Sequence, residues 1–167
     1  MGLFDFFRRK SGESLYLEGE TEAISVLNVG ILFEDNKKLL KWGVAVSDLA
    51  KQVEVKEKRF ADRTVYSWGE HTIIDGLKLQ LYTVYWDYKA DSGDKRFNWI
   101  ESQVDGDDPA GNLFRLIGTH LEAKFGPGRH IEGEPDGCFE WYINEIRISL
   151  CLLERVANKL LFKIEKI

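Results

Sequence analysis

The sequence predicts an α+β protein in which one long and one short helix pack on an antiparallel sheet. The chain has 167 residues, 44% of them hydrophobic and 31% charged, the size and balance of a single globular domain. Aromatic residues make up 13%, and aromatic side chains favour pleated, half-buried surfaces. After residue 53, apolar and polar residues alternate over several segments, as in strands, whereas a four-residue apolar spacing marks one long helix.

Residues 1–22 are predicted to be an amphipathic N-terminal segment and a linker, followed by one domain over residues 23–167. On a helical wheel, the apolar and the charged side chains of residues 3–10 fall on opposite sides. A helix this short is not stable by itself in water. It therefore either docks on its own domain or stays disordered, or it binds a partner or a membrane surface.

The first half of the domain reads mainly as strands and turns. Residues 23–34 are apolar enough for a strand or a buried segment, and Asp35-Asn36 is a turn signal. Residues 44–52 predict a short helix with Ser47 as its N-cap. The alternating segments predict strands over 53–60, 64–68, 77–88 and 96–104, with turns at Asp75-Gly76 and at 91–94.

The second half begins with the long helix. Asp108 is its expected cap, Pro109 suits its first position, and Gly126 ends it. Its apolar stripe repeats every four residues, at Leu113, Ile117, Leu121 and Phe125. A loop is predicted after it, and then strands over 138–143, 146–154 and 159–166. This order predicts two helix-then-meander units, the second clearer than the first.

A two-residue turn at Asn144-Glu145 fixes the pairing of the first two of these last strands. The apolar pairs that follow share one face, namely Ile143 with Ile146, Trp141 with Ile148, and Phe139 with Leu150. The same register sets Cys138 directly opposite Cys151. Because a reducing cytosol opposes disulfides, we expect adjacent but free thiols.

Charge and hydropathy exclude some classes of protein. The formal net charge is −5, from 23 basic and 28 acidic residues, so no basic excess exists to neutralise phosphates and nucleic-acid binding is not predicted. No apolar run approaches the about 20 residues that span a bilayer. The N-terminus puts apolar residues before charges, the reverse of a secretory signal. A cytoplasmic location is predicted.

No catalytic residue, metal site or cofactor is predicted. The three histidines, His71, His120 and His130, lack the short spacing of zinc ligands. His120 lies on the helix stripe and is interpreted as a histidine at the edge of the core. The sequence also contains neither a G-x-S-x-G motif nor a recognisable Cys-His arrangement for nucleophilic catalysis.

Aromatic residues on two predicted strands form the candidate binding site. Pairing across the 91–94 loop would set Trp86 opposite Trp99 and Tyr88 opposite Phe97, with Tyr82 on the same face. This face is either buried under a helix or the N-terminal segment, or it is a recognition surface, because Trp and Tyr dominate binding hot spots.

The segments LEAKFG and FEWYINEIRISL, together with Trp42-Gly43, resemble parts of small bacterial proteins, among them immunity and accessory proteins. The resemblance assigns no role to any residue. The predicted function is a non-enzymatic binding or accessory protein that recognises a protein partner through the aromatic face, with an immunity- or inhibitor-like role as one specific form. The alternative is a small-molecule-binding protein or enzyme with a pocket between sheet and helices, lined by Tyr82, Trp86, Trp99 and His120.

Overall fold

A computed structural model describes residues 26–86, 95–134, 137–154 and 158–167. The predicted N-terminal segment, the 91–94 loop and Tyr88 lie outside the described residues. The described chain is an α+β protein built mostly of antiparallel sheet, so the predicted fold class is confirmed at that level.

The elements follow one another with short connections. Residues 26–29 are helical, a 3-10 turn spans Val46–Asp48, helix α1 spans Leu49–Gln52 and helix α2 spans Asp107–Phe125. The strands are β1 Gly30–Phe33, β2 Lys38–Lys41, β3 Lys56–Arg59, β4 Arg63–Ile73, β5 Leu77–Trp86, β6 Trp99–Asp105, β7 Arg129–His130, β8 Cys138–Ile143, β9 Ile146–Glu154 and β10 Asn158–Lys166.

Eight of these strands form one antiparallel sheet, in the order β3-β4-β5-β6-β10-β9-β8-β7. Strands β3 to β6 are consecutive neighbours, and so are β7 to β10. The last strand of the first series, β6, pairs with the last strand of the second series, β10, at the centre of the sheet. Strands β1 and β2 form a separate two-stranded sheet.

The register sorts side chains onto two faces of the large sheet. The inner face carries the core, including Leu79, Leu81, Ile100, Ile148, Leu150, Phe162 and Ile164, all buried. Helix α2 contacts β6, β9 and β10. A Cβ on Gly118 of α2 would lie 3.7 Å from Leu150, and the rings of Phe114 and Phe139 are 6.4 Å apart. Helix α2 therefore lies on the inner side.

The two-stranded sheet joins the same core next to β4. Phe33 of β1 stacks on His71 with ring centroids 4.3 Å apart, and it meets Trp68 edge-on at 6.3 Å. The pairing of β4 with β5 shifts between Ser67 and Gly69, which marks a bulge at Trp68. This extra residue lets Trp68 and His71 both face inward, although their positions differ by three, an odd number that would place them on opposite faces of a regular strand.

The turn between β4 and β5 is held from two sides. Ile74, Asp75 and Gly76 all have positive φ, which is strained for a branched side chain such as that of Ile74. The Glu34 carboxylate accepts hydrogen bonds from the backbone N–H groups of Asp75 and Gly76, at 2.6 and 3.0 Å. From α2, His120 Nε2 lies 2.6 Å from the Ile74 carbonyl oxygen. These contacts compensate for the strain and tie α2 to the first meander.

Several local predictions about helix ends are wrong. The N-cap positions are Ala45 for the 3-10 turn and Asp48 for α1, so Ser47 caps neither. Helix α2 begins at Asp107 after Gly106, so Asp108 is not its N-cap. At the other end, Gly126 follows the helix with a φ of 81°, as predicted.

Some strand predictions need correction as well. Residues 23–34 were expected to be one strand or buried segment, but residues 26–29 are helical and only β1 is extended. Strand β4 continues past residue 68 to Ile73, because the bulge hides its alternation from a simple period-two pattern. Strands β2 and β7 were not predicted. They have only four and two residues, respectively, which is too short for an alternating pattern to show.

The register of β8 and β9 is the one predicted, from Ile143 opposite Ile146 to Cys138 opposite Cys151. The prediction of free thiols is contradicted, because Cys138 and Cys151 are joined in a disulfide, with Cα atoms 4.1 Å apart. Directly opposed cysteines on neighbouring strands lie close enough to bond. The cytoplasmic location remains a prediction from the sequence. The disulfide is evidence against that location, since cytosolic thiols are kept reduced.

Substitution of two glycines should separate close packing from helix propensity. In Gly30→Ala, the new Cβ would overlap the Leu40 carbonyl group and lie 2.8 Å from Lys41 Cα, so we expect a loss of about 1–3 kcal/mol. In Gly111→Ala, no atom outside the α2 backbone lies within 4 Å, so we expect a gain of about 0.5–1 kcal/mol. Urea unfolding measures both, and equal effects would contradict the packing of β1 on β2.

Candidate functional site

The face of the large sheet opposite α2, here called the open face, is the candidate site. The register puts on it alternate residues of each strand, including Tyr82, Val84, Trp86, Trp99, Glu101 and Lys163. Among the described residues, every side chain that β5, β6, β9 and β10 place on this face is partly or fully exposed. Strand β5 shows the contrast directly, since its inner residues Leu77, Leu79 and Leu81 are buried.

Three of the five predicted binding residues lie on the open face, namely Tyr82, Trp86 and Trp99, and all three are half-buried. Phe97 does not. It is fully buried and stacks on Trp42, with ring centroids 5.1 Å apart.

The reason for the displacement of Phe97 is a different backbone partner. Its N–H donates to the Val44 carbonyl oxygen, and its own carbonyl oxygen accepts from Gly43, both at 2.8 Å. Residue 97 therefore pairs with the segment before α1, and β6 joins β5 only from Trp99 onward.

The pairing of β5 with β6 also differs from the predicted one. Tyr82 lies opposite Glu101, which is shifted by two residues from a register that sets Trp86 opposite Trp99. A two-residue shift preserves faces, so Trp99 stays on the side of Tyr82. Its ring instead lies 6.2 Å from that of Tyr85, with the ammonium nitrogen of Lys163 5.2 Å from its centroid.

Tyr82 and Glu101 form the polar centre of the open face. Burial raises the pKa of Tyr82, and the nearby negative charge of Glu101 raises it further. Burial also raises the pKa of Glu101, although a hydrogen bond from Tyr82 and the charge of Lys163 oppose the rise. The Tyr82 hydroxyl also lies 3.4 Å from Gln103 Oε1. The centre therefore holds the protonated phenol of Tyr82 beside the carboxyl group of Glu101, whose ionisation burial makes less favourable.

One row of cross-strand neighbours, here called the polar row, runs over the open face through all eight strands. In sheet order it consists of Lys56, Ser67, Tyr82, Glu101, Lys163, Ser149, Glu140 and Arg129. Every member is polar, and its charges alternate in sign along the row. Two pairs of neighbouring strands thus present opposite charges to each other, β6 with β10 and β7 with β8, which stabilises their pairing.

Ion pairs support the half of the row beyond β6. Lys163 and Arg147 both hydrogen-bond Glu165, with Lys163 Nζ 2.6 Å from its carboxylate. Burial would raise the pKa of Glu165, but these two hydrogen bonds outweigh it and lower the pKa. Further along, the nearly buried Glu140 pairs with Arg129 at 2.9 Å and accepts a hydrogen bond from Tyr142. These charges are already satisfied within the protein.

The structure does not bring together the residues of the predicted pocket. Tyr82, Trp86 and Trp99 lie on the open face, whereas His120 belongs to α2 on the other side and contacts the Ile74 carbonyl group. Within the described ranges, no group of three or more His, Cys, Asp or Glu side chains could hold a metal ion.

Sequence reasoning missed Glu101 and Lys163 as members of the site. Their signal was present as polar residues at every second position of two predicted strands. The pairing of β5 with β6 sets Glu101 opposite Tyr82. Only the pairing of β6 with β10, strands separated by α2 and three other strands, makes Lys163 a neighbour of Glu101.

The chain matches no protein-family model, no curated protein and no solved structure. Among its described helices, none has the length and apolar character needed to cross a membrane. Function is therefore argued from the geometry of the open face.

Replacing one aromatic residue on the open face and one in the core with alanine should show how deeply each is buried. Trp99 is half-buried on the open face, so we expect Trp99→Ala to cost about 1–2 kcal/mol, part of the full burial energy. Phe97 is fully buried, so we expect Phe97→Ala to cost about 3–5 kcal/mol. Chemical denaturation measures both. A larger loss for Trp99→Ala than for Phe97→Ala would mean that the open face is covered.

Glu101→Gln should change how stability depends on pH. Because burial raises the pKa of Glu101 above 4.5, the folded protein retains this proton where the unfolded chain has released it. The free energy of unfolding of the wild type therefore falls as pH rises through that window. Glutamine cannot ionise, so the variant should gain stability relative to wild type as pH rises above 4.5.

Glu165→Gln is the control of opposite sign. The lowered pKa of Glu165 contributes stability that is present above the unfolded pKa and lost as pH falls, so this variant should lose stability at neutral pH. Urea unfolding across the same pH series measures both variants. Parallel profiles for Glu101→Gln and the wild type would contradict the raised pKa of Glu101.

Proposed function

We propose that this chain is a non-enzymatic binding protein that recognises a protein partner through the open face, with Tyr82, Trp99 and Glu101 at the centre. The observation that carries the proposal is the exposure of half-buried aromatic side chains on the side of the sheet opposite α2. Large aromatic side chains that are already held in place lose little entropy on binding and supply most of the energy at protein interfaces.

The surroundings of Trp99 support a preorganised contact. Its ring contacts Tyr85 and Lys163, and these contacts restrict the side chain that a partner meets. On the β10 side of Trp99, the ion pairs of Glu165 and Glu140 are satisfied within the chain, which suits the polar rim of an interface more than its energetic centre.

We also propose that the chain consists of two helix-then-meander units that meet at the β6–β10 pair. The order of the elements supports this organisation, with α1 before β3 to β6 and α2 before β7 to β10. The site lies on the seam, because Tyr82, Trp99 and Glu101 come from the first unit and Lys163 from the second. A partner bound there contacts both units.

A surface is favoured over a pocket for a structural reason. The side chains proposed to line a pocket lie on opposite sides of the sheet, with Trp99 on one and His120 on the other. An immunity- or inhibitor-like role remains the specific form suggested by the sequence, and it also requires a protein partner and an exposed surface.

Affinity capture from a lysate of the source organism, followed by mass spectrometry, tests this function. We expect the wild-type chain to recover one protein reproducibly and Trp99→Ala to recover at least about tenfold less of it, the effect of losing a hot spot. Leu116→Ala is the matched control, because Leu116 is an exposed apolar residue of α2. Equal recovery by wild type and Trp99→Ala would contradict the proposal, and selective loss with Leu116→Ala would move the interface to the helix.

A further inference from the structure

The two edges of the large sheet are unequal. At one edge, β7 has two residues, and its Arg129 is engaged by Glu140. At the other edge, β3 has four residues, and all four are exposed. The terminal strand of a sheet presents backbone N–H and C=O groups to which another strand can pair. Both residues of β7 are exposed as well, so β3 is distinguished as the longer exposed edge among the described strands.

The hydrogen-bond pattern shows which residues of β3 face outward. Phe60 N–H donates to the Arg63 carbonyl oxygen at 2.8 Å. In an antiparallel ladder, hydrogen-bonded pairs recur at every second residue, so the backbone groups of Lys58 and Lys56 also point towards β4. Those of Glu57, between them, point away from the sheet, where an added strand would bind.

The charge of this edge differs from that of the chain as a whole. Three of its four residues are basic, Lys56, Lys58 and Arg59, and one is acidic, Glu57, although the chain carries a net charge of −5. Lys56 is opposite Ser67 and Lys58 opposite Val65, so both lysine side chains lie on the open face. Lysines at an edge prevent the pairing of two identical edges, but they attract a strand of opposite charge.

The alternation of charge along the polar row indicates which charge an added strand should carry next to β3. Opposite charges already face each other across β6 and β10, as Glu101 and Lys163, and across β7 and β8, as Arg129 and Glu140. The row ends at the β3 edge on the cation Lys56. One further strand would continue the alternation if it placed an acidic residue beside Lys56.

An aromatic contact is available at the end of β3. Phe60 is exposed, and the Arg63 guanidinium lies 4.7 Å from its ring and 5.0 Å from the ring of Trp86. Arg63 thereby links Phe60 to the aromatic side chains of the open face. A segment running along β3 would contact Phe60 while its alternate side chains lie over the same face as Trp86.

We propose that an acidic, extended segment of a partner protein adds to β3 as a ninth strand of the sheet. The inference rests on the proposed function, because it names how a partner of the open face would dock. Affinity comes from main-chain hydrogen bonds, and specificity from acidic side chains beside Lys56 and Lys58, as in other cases of strand addition. A second copy of this chain is disfavoured as the occupant, because two β3 edges carry the same charge.

The test uses the full chain labelled with ¹⁵N and a capped nonapeptide that alternates glutamate with valine as the probe. We expect amide shifts confined to β3, β4 and Phe60, and amide exchange at Glu57 slowed at least about tenfold, because its N–H gains a partner. The same peptide N-methylated at the alternate residues whose N–H groups face β3 should bind at least about tenfold more weakly, since it cannot pair with the edge. Methylation in the other phase leaves that edge of the peptide free, so this second peptide is the control and should bind as the unmethylated one does.

Two double variants separate strand addition from general charge attraction. K56E/K58E should bind the glutamate–valine peptide about tenfold more weakly, because two exposed ion pairs are lost, and it should bind a lysine–valine peptide instead. That gain shows that the variant is folded. K37E/K38E is the matched control, since Lys37 and Lys38 are exposed on the β1–β2 hairpin, and its affinity should equal that of the wild type.

Four results would overturn the inference. They are the absence of shifts with the peptide, equal binding of the peptide N-methylated at the residues that face β3, an equal loss of affinity in K37E/K38E, and binding to phosphatidylserine vesicles through Lys56 and Lys58 without peptide binding. Trp99→Ala should still bind the probe, because Trp99 is not on the edge. Failure of the open-face function and failure of strand addition are therefore seen in different experiments.

Discussion

The antiparallel ladder between β6 and β10 is the constraint on which the rest of the structure depends. It joins the two meanders, and its register decides which side chains are buried. Ile100 pairs with Ile164 on the inner face, while Glu101 pairs with Lys163 on the open face. A shift of β10 by one residue would bury Lys163 without its present partners and expose Ile164. The cost of that exchange fixes the register, and with it the whole polar row.

The core is closed by two covers that come from different parts of the chain. Helix α2 lies over β6, β9 and β10, and the β1–β2 sheet lies beside β4. The turn after β4 connects the covers, since Glu34 follows β1 while His120 belongs to α2, and both bind its backbone. The strained turn is therefore maintained by the same contacts that hold the two covers at a fixed distance from each other.

The sequence determines local pairings better than distant ones. The β8–β9 register was predictable, because a two-residue turn and three apolar pairs leave one solution. The position of Phe97 was not, since its backbone pairs with Gly43 and Val44, more than fifty residues away. The face of Tyr82, Trp86 and Trp99 was predicted correctly despite a wrong register, because a two-residue shift preserves faces. Lys163 joins the site only through the pairing of β10 with β6, and no local pattern predicts that pairing.

The chemical character of the open face changes from β3 to β7, from a basic edge through an apolar part to a part with paired charges, and this change determines how a partner can bind. On β8 and β10 the charges of Glu140, Lys163 and Glu165 are paired within the chain, and covering them would cost solvation without new pairing. From β4 to β6, Val65, Val84 and Trp99 offer apolar area, which gains energy when it is covered. Lys58 is opposite Val65, so this apolar area continues directly to the basic edge. A strand added to β3 would carry the partner onto the part of the face where binding is favourable and away from the part where it is not.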